Sequence, residues 1–455
     1  LGLAGAGLGA AAATTPVFHD LDELAASGKT NPLHRWWIKE RDHENPTTEV
    51  DWDVYNPATW DYVRYSVPSE LAAELNEARI VRRLQGITGM WHGSTLRDLA
   101  LDGATNSCAP SNKWNGPRAT TPEQRRAPGP WVGTPEENMQ TCRRALHFYG
   151  TPRVGALELN DHTKHLLRDV GTKTLFEDID VAYEDEDGAK HIPNKCRWML
   201  VWMTKQNYAI NLLALRNDPD DPWYGKVFRQ GKAAENQAYS HAPQIRFQAM
   251  GFLKGLGYQA LKPNAGPNIP IGIFAGMGEG GRPGLVCSPD YGMMIRTCDW
   301  CITDLPLAPT KPIDGGVVEF CKSCKRCATD CPPGALDLET EQSWEPNVHE
   351  GHNSNLPGYK GWRCDWQKCR DWDAQYSCLN CQMVCPFNHT EDAIIHPLCR
   401  AVAGTTPIFD GFFANMDKAM GYGFQKSPQE HLDWWNCDLR TYQYDTLLGF
   451  GTAGW

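Results

Sequence analysis

Apolar residues along this chain gather in short dense runs. "RVGALEL" (153–159) and "RWMLVWMT" (197–204) are rich in Val, Leu, Met and Trp, and each predicts a buried strand. In "PQIRFQAMGFLKGLGY" (243–258) the spacing changes. Ile245, Ala249, Phe252, Leu253 and Leu256 recur every three or four positions, which predicts a helix with Pro243 in its first turn, stopped by Gly255 and Gly257. "IPIGIFAGMGEGGRPGL" (269–285) reads as another strand running into a glycine-rich turn. Residues 14–150 are polar, loop-rich and rich in Pro, Trp and Arg, with few clean periods, and read as a wrapping unit. A Trp/Asp-rich tail, "HLDWWNCDLRTYQYD", lies near the end.

The first residues are small and apolar up to Ala13 and then turn polar. They are read as the tail of a cleavable leader, with Ala11 to Ala13 as an A-x-A-like processing zone. No later run reaches the roughly 18 apolar residues that a membrane-crossing helix needs. The chain has 455 residues, which implies two or three units with ample length for a core. Its net charge of -11 argues against a sequence-independent grip on nucleic acid phosphates, so no nucleic acid partner is expected.

Cysteine placement carries the chemistry. Nine of the 17 cysteines fall between Cys321 and Cys385, and Cys321, Cys324, Cys327 and Cys331 read C-x2-C-x2-C-x3-C-P, the bacterial ferredoxin spacing. In that pattern three cysteines close on one cubane and the fourth ligates a second. The partner motif is C-x2-C-x3-C-P at Cys378, Cys381 and Cys385, with Cys364 or Cys369 upstream as its remaining sulfur. Crossed pairing assigns Cys321, Cys324, Cys327 and Cys385 to one [4Fe-4S] cluster, and Cys331, Cys364, Cys378 and Cys381 to the other. Zinc ribbons also use C-x2-C pairs, but two tight triplets each followed by Cys-Pro suit tetrahedral zinc badly. "CDWC" (298–301) reads as two buried thiols on a loop. "GMGEGGRPG" is neither a dinucleotide fingerprint nor a Walker loop, and by itself reads as a tight turn.

Three stretches together resemble the respiratory reductive dehalogenases, the tetrachloroethene reductive dehalogenase family of corrinoid iron-sulfur enzymes. They are "IPIGIFAGMGEGGRPGLVCSPDYGMMIRTCDWCITDLPLAP", the double cysteine motif, and "ENQAYSHAPQIRFQAMGFLKGLGYQALKPNAGPNIP". The resemblance implies an α+β fold: a nitroreductase-like corrinoid-binding core with an inserted ferredoxin-like domain for two [4Fe-4S] clusters. The organisation it suggests is a residual leader (1–13), the wrapping unit (14–150), the corrinoid core (151–314), the two-cluster domain (315–395) and a C-terminal segment completing the core (396–455). The corrinoid, of cobalamin or norpseudo-B12 type, would bind base-off without a protein histidine. Carried over residue by residue, Tyr239 falls on the family's proton donor, Arg296 on the guanidinium beside it, and Asn264 on the substrate-side amide, with Asn268 a nearby competitor. Gly278, Glu279, Gly280 and Arg282 match the cofactor loop, and Trp366 and Trp372 are cofactor-side aromatics. The resemblance also implies a small organohalide substrate, twin-arginine export to the outer face of the cytoplasmic membrane, a small membrane-anchor protein, quinone-linked electrons and a homodimer.

The residue types suit that chemistry. Replacing a carbon-bound halogen by hydrogen takes two electrons and one proton. A phenol with a free pKa of about 10 becomes a usable acid near a permanent guanidinium charge, since a two-unit shift asks for only about 3 kcal/mol. Trp91, Tyr239, Trp366 and Trp372 are candidates to line a small apolar pocket for a chlorinated alkene or alkane. Two rival readings stand beside this one: an epoxyqueuosine-reductase-like corrinoid enzyme, and a ferredoxin-type electron carrier without substrate chemistry. Halide release separates the first rival, and corrinoid content the second.

Overall fold

The structure is a computed structural model, and it describes residues 34–57, 69–89, 91–96, 98–99, 113–167, 173–214, 229–264, 266–346, 355–389, 395–423, 427 and 429–437. The leader reading at 1–13 and the end of the Trp/Asp-rich tail lie outside these residues. Elements that position the site are helices α1 (Ser69–Thr88), α2 (Pro135–Phe148), α3 (Arg229–Leu256), α4 (Asn268–Phe274), α5 (Val317–Cys324), α6 (Trp366–Tyr376), α7 (Ile395–Thr405) and α8 (Asp410–Ala419). The central strands are β1 (Val154–Glu158), β2 (Trp198–Lys205), β3 (Ala260–Leu261) and β4 (Ile295–Thr303).

These four strands form an antiparallel sheet in the order β1-β2-β4-β3. Both faces are covered, which is why "WMLVWM" is apolar at every position instead of every second one. Met199, Val201 and Met203 pack toward Ile271, Ile273 and Phe274 of α4. Leu200 and Trp202 face the other way, against Met139 and Leu146 of α2 and Ile245, Ala249 and Leu253 of α3. The fold is thus mixed helix and sheet, as expected, and the strands predicted at 153–159 and 197–204 form.

Three local expectations change. Pro243 stands inside α3 and not in its first turn, because the helix begins at Arg229. Its earlier half buries a stripe of alanines, Ala233, Ala234, Ala238 and Ala242, and small residues leave no visible hydrophobic period. The run beginning at Ile269 forms helix α4 and not a strand; it is short and apolar throughout, so periodicity does not separate the two. Gly272 makes this packing possible, since a Cβ there would lie 2.5 Å from Cys298 Sγ. Finally, Cys298 and Cys301 are not on a loop. They lie on β4, three residues apart, so they point to opposite faces of the sheet and enter different core clusters. That geometry excludes a redox dithiol.

Helix α5, carrying Cys321 and Cys324, packs with α7 and α8 through Val317, Phe320, Ala403 and Ala414. Helix α1 reaches the cysteine-rich unit from the N-terminal side: Arg82 donates to Gln375 Oε1 and to Tyr376 Oη of α6, at 3.1 and 2.9 Å.

Close packing between β1 and the end of α4 yields a stability prediction. A Cβ at Gly155 would lie 2.3 Å from the Ala275 carbonyl oxygen, whereas one at Gly411 on α8 meets nothing within 4 Å. Gly155→Ala is expected to lower stability by about 1–3 kcal/mol through overpacking, and Gly411→Ala to hold or raise it. Thermal unfolding of the two variants beside the parent checks both.

Candidate functional site

The cysteine motif folds into two sets of sulfurs. Helix α5 ends at Cys324, and Lys325 takes a left-handed conformation (φ 51°) that turns the chain into the short helix Arg326–Thr329. This turn carries Cys327, whose pKa is raised first by burial and then by the thiols of Cys321, Cys324, Cys381 and Cys385, so it lies between the two sets. Burial pushes the Cys321 and Cys324 thiols up to about 12. The second set gathers around Ala335, Leu336 and Val384, where Cys364 packs with Cys331, Cys369 and Cys381. Cys378 joins through Cys369 and Cys331, which both act on its thiol. Among the described residues no metal-capable group converges on a point for a single ion. Two sets of buried thiols, whose thiolate forms would repel one another, nonetheless suit cubane cores, whose iron charge would offset that repulsion.

The glycine-rich loop clamps the first set to the core. Gly278 is held so close to the facing strand that a Cβ would meet the Cys287 carbonyl oxygen at 2.5 Å, and one at Gly280 would meet Thr48 Oγ1 at 2.7 Å. The fully buried Glu279 carboxylate then accepts from the backbone N–H of Gly315, Val317 and Val318 at 2.7, 3.2 and 3.4 Å, at the start of α5. Burial, and secondarily Asp314, push its pKa up to about 7 against these three donors. Arg282 donates to the carbonyls of Asp337, Glu339 and Cys321 at 2.8, 2.7 and 2.6 Å, with its guanidinium over the Trp362 ring. The predicted cofactor loop therefore serves the helix that carries the first sulfurs.

Tyr239 and Arg296 come together from α3 and β4. In the β2–β4 ladder Ile295 faces Lys205 and Thr297 faces Thr204, so Arg296 is the extra residue of a β-bulge. A bulge re-aims its side chain. The Arg296 guanidinium lies 4.5 Å from the Tyr239 ring centroid, over its face. Tyr239 is 48% exposed although it belongs to a helix packed on the core. Arg296 Nη1 pairs with Glu235 at 2.8 Å, one turn before Tyr239. Glu235 also pairs with Lys232, which reaches Asp373 on α6 at 3.3 Å. The acids near Arg296 in sequence are engaged elsewhere: Asp299 with Arg246 and Lys262, and Asp304 with the Gln259 backbone N–H.

Asn264 is not drawn into this pair. Its amide donates to the Leu167 carbonyl at 2.5 Å while its own oxygen is buried without a partner. Asn268 accepts from Trp300 Nε1 at 3.2 Å. Trp366 packs beside the second sulfurs. Trp372 stacks on Tyr376 of the same helix with ring centroids 4.1 Å apart, its indole N–H buried and unpaired. Trp91 follows α1, against Gly89.

Cys287 escaped sequence reading, because it lies far from the motif in the chain, yet its sulfur is 3.9 Å from Cys385 Sγ. Lys232 and Glu235 were also missed. Their signal was the spacing Lys232, Glu235, Tyr239, which lines one helix face.

A corrinoid carries amide arms and a nucleotide tail that need many hydrogen-bond partners. Buried polar atoms are left unsatisfied at Arg296 Nε, at Thr204 Oγ1 beside the bulge, at His241 Nδ1 two residues after Tyr239, and at Trp372 Nε1 on α6. Such atoms in a protein interior call for a partner, and a polar-rimmed ligand would supply one to Arg296 Nε.

Comparison with known proteins agrees with this geometry. Residues 320–388 match the family model of the 4Fe-4S double cluster binding domain. The chain is 30% identical to a chloroethene reductive dehalogenase of Dehalococcoides mccartyi (strain VS), over 98% of its own length and 96% of the relative. It is 28% identical to a trichloroethene reductive dehalogenase from another strain of that species, over 96% and 94%. Among solved structures it shares its fold with a reductive dehalogenase described as B12-dependent, at a TM-score of 0.58 and 19% identity, covering 88% of this chain and 52% of the other. The chain spans about half the length of the solved structures it matches.

The buried cap on α5 gives a direct test of the clamp. Glu279→Ala removes the acceptor of three buried N–H groups and is expected to lower stability by on the order of 3 kcal/mol, with iron lost from the protein. Glu279→Gln keeps an acceptor oxygen and is expected to lose less. Thermal unfolding together with iron per chain reads both.

Proposed function

The chain belongs to the reductive dehalogenase family, and from that premise we propose that it removes halogen from a small chlorinated alkene or alkane, as terminal reductase of organohalide respiration. The reaction replaces carbon-bound halogen by hydrogen, consuming two electrons and one proton and releasing halide. A corrinoid bound in a nitroreductase-like core would supply the redox chemistry, and two [4Fe-4S] clusters held by the two cysteine sets would supply its electrons.

The observation that carries this reading is the half-exposed Tyr239 phenol beneath the bulge-borne Arg296 guanidinium. Tyr239 gives its proton to the carbon that loses halogen. The permanent charge of Arg296 stabilises the phenolate left behind, and its place over the ring face leaves the hydroxyl open to substrate. Pro243 has no N–H for the Tyr239 carbonyl four residues before it, so the backbone at the acid differs from an ordinary helix turn. Asn264, fixed by Leu167, has an amide oxygen left to orient a ligand.

For the clusters this reading takes Cys321, Cys324, Cys327 and Cys385 as one ligand set and Cys331, Cys378 and Cys381 as three of the other. Cys364 and Cys369 both pack with Cys331 and Cys381, and the reading takes Cys369, on α6, as the fourth. The reading also includes a small membrane-anchor protein, a quinone-linked donor, a homodimer and twin-arginine export to the outer face of the cytoplasmic membrane. No helix among the described residues is long and apolar enough to cross a membrane, which is compatible with attachment through a partner.

Tyr239→Phe is expected to lower kcat for halide release at least about 100-fold while iron and cobalt contents hold. Halide release from chlorinated ethenes by anaerobic protein with a low-potential donor checks it; full activity in the variant would remove Tyr239 from the mechanism. Cys369→Ala is expected to bring iron from about eight to about four per chain, and Cys364→Ala to leave about eight, since a cubane needs four sulfur ligands. Iron analysis of both variants decides between them.

A further inference from the structure

Between the Tyr239–Arg296 pair and the second set of cysteines runs a continuous line of charged side chains. Arg296 Nη1 is 2.8 Å from Glu235 Oε1, Lys232 pairs with the other oxygen of Glu235, and Lys232 Nζ is 3.3 Å from Asp373 Oδ1. Asp373 lies four residues after Cys369 on α6, on the same helix face, so its ion pair brings Lys232 to the helix that carries Cys369. Arg370 flanks Asp373 at 3.6 Å. Lys232, Glu235 and Arg296 are largely shielded, with side-chain exposures of 15%, 10% and 18%. Charges so placed are screened little by salt and feel one another strongly.

We propose that Lys232 and Glu235 form an electrostatic relay between the second cluster and the proton-donating pair: Glu235 positions Arg296 over Tyr239, and Lys232 sets the potential of the cluster held by the Cys331 set. The inference rests on the reading above for the presence of that cluster, and not for the substrate. An added electron makes the cluster more negative, and the nearby Lys232 ammonium stabilises that state. Glu235 opposes it from one shell further out. Glu235, which Lys232 pairs with, fixes where the Arg296 guanidinium stands, so the cluster and the phenol sense a common set of charges. Both are positioning residues, because neither touches the reacting atoms.

Opposite charges at neighbouring positions provide a test that a purely structural role does not pass. Lys232→Met is expected to move the midpoint potential of the second cluster to more negative values, and Glu235→Gln to move it to more positive values. Lys232→Arg is expected to restore the parental potential. The potential of the first cluster, at Cys321, Cys324, Cys327 and Cys385, should stay in place throughout. Redox titration of the holoenzyme followed by electron paramagnetic resonance reads all four. Glu235→Gln should in addition lower kcat about tenfold or more at an unchanged KM, as loss of a contact that acts in the transition state requires. Should Lys232→Met fold poorly, Glu235→Gln and Lys232→Arg still decide the matter. Unmoved potentials, or shifts of the same sign from both substitutions, with about eight iron per chain, overturn the relay and leave the dehalogenase reading standing. Opposite shifts without halide release support the relay and overturn the dehalogenase reading.

Discussion

Everything downstream of the cysteines depends on one buried carboxylate. Glu279 collects three backbone N–H groups at the start of the helix that carries Cys321, and Arg282, three residues on, holds the carbonyl oxygen of Cys321 itself. A helix N-terminus favours negative charge and its first N–H groups have no partners within the helix, so an anchored acid both satisfies and locates it. The loop bearing that acid leaves α4, which packs on the central sheet. The position of the first sulfurs is therefore referred to the same sheet whose bulge presents Arg296 to Tyr239. On the proposed function, electron supply and proton supply share one frame.

The second joint is electrostatic. Helix α3 offers Lys232, Glu235 and Tyr239 along one face, and α6 of the cysteine-rich unit answers with Asp373. Because the clamp at Glu279 fixes the first sulfurs and the charged line meets the second, the two cysteine sets are tied to the core by different physics. Hydrogen bonds to backbone set one, and ion pairs between partly buried side chains set the other. A family that delivers electrons and a proton to one carbon needs both distances held at once.

How much of this could be read from the chain alone varies with the kind of signal. The cysteine sets are covalent-length patterns, so their spacing announced the clusters, and residues 320–388 match the double cluster family. Strands β1 and β2 were legible because burial on both faces makes an unbroken apolar run. The first half of α3 was not, since its buried face is made of alanines, and α4 was mistaken for a strand because a seven-residue apolar segment has no period to show. Arg296 was found only by resemblance: a bulge depends on register between two strands and leaves no mark in either. Cys287 and Asp373 reach the site through tertiary folding, so no local pattern pointed to them.

The central claim is that two sets of buried sulfurs serve a cobalt centre beside Tyr239. Its most direct test is the iron and cobalt content of protein purified without oxygen, after corrinoid is supplied during expression. The account requires about eight iron, from two four-iron clusters, and one cobalt per chain. About eight iron with no cobalt would contradict it, leaving a chain that carries electrons and has no centre at which to spend them on a carbon–halogen bond.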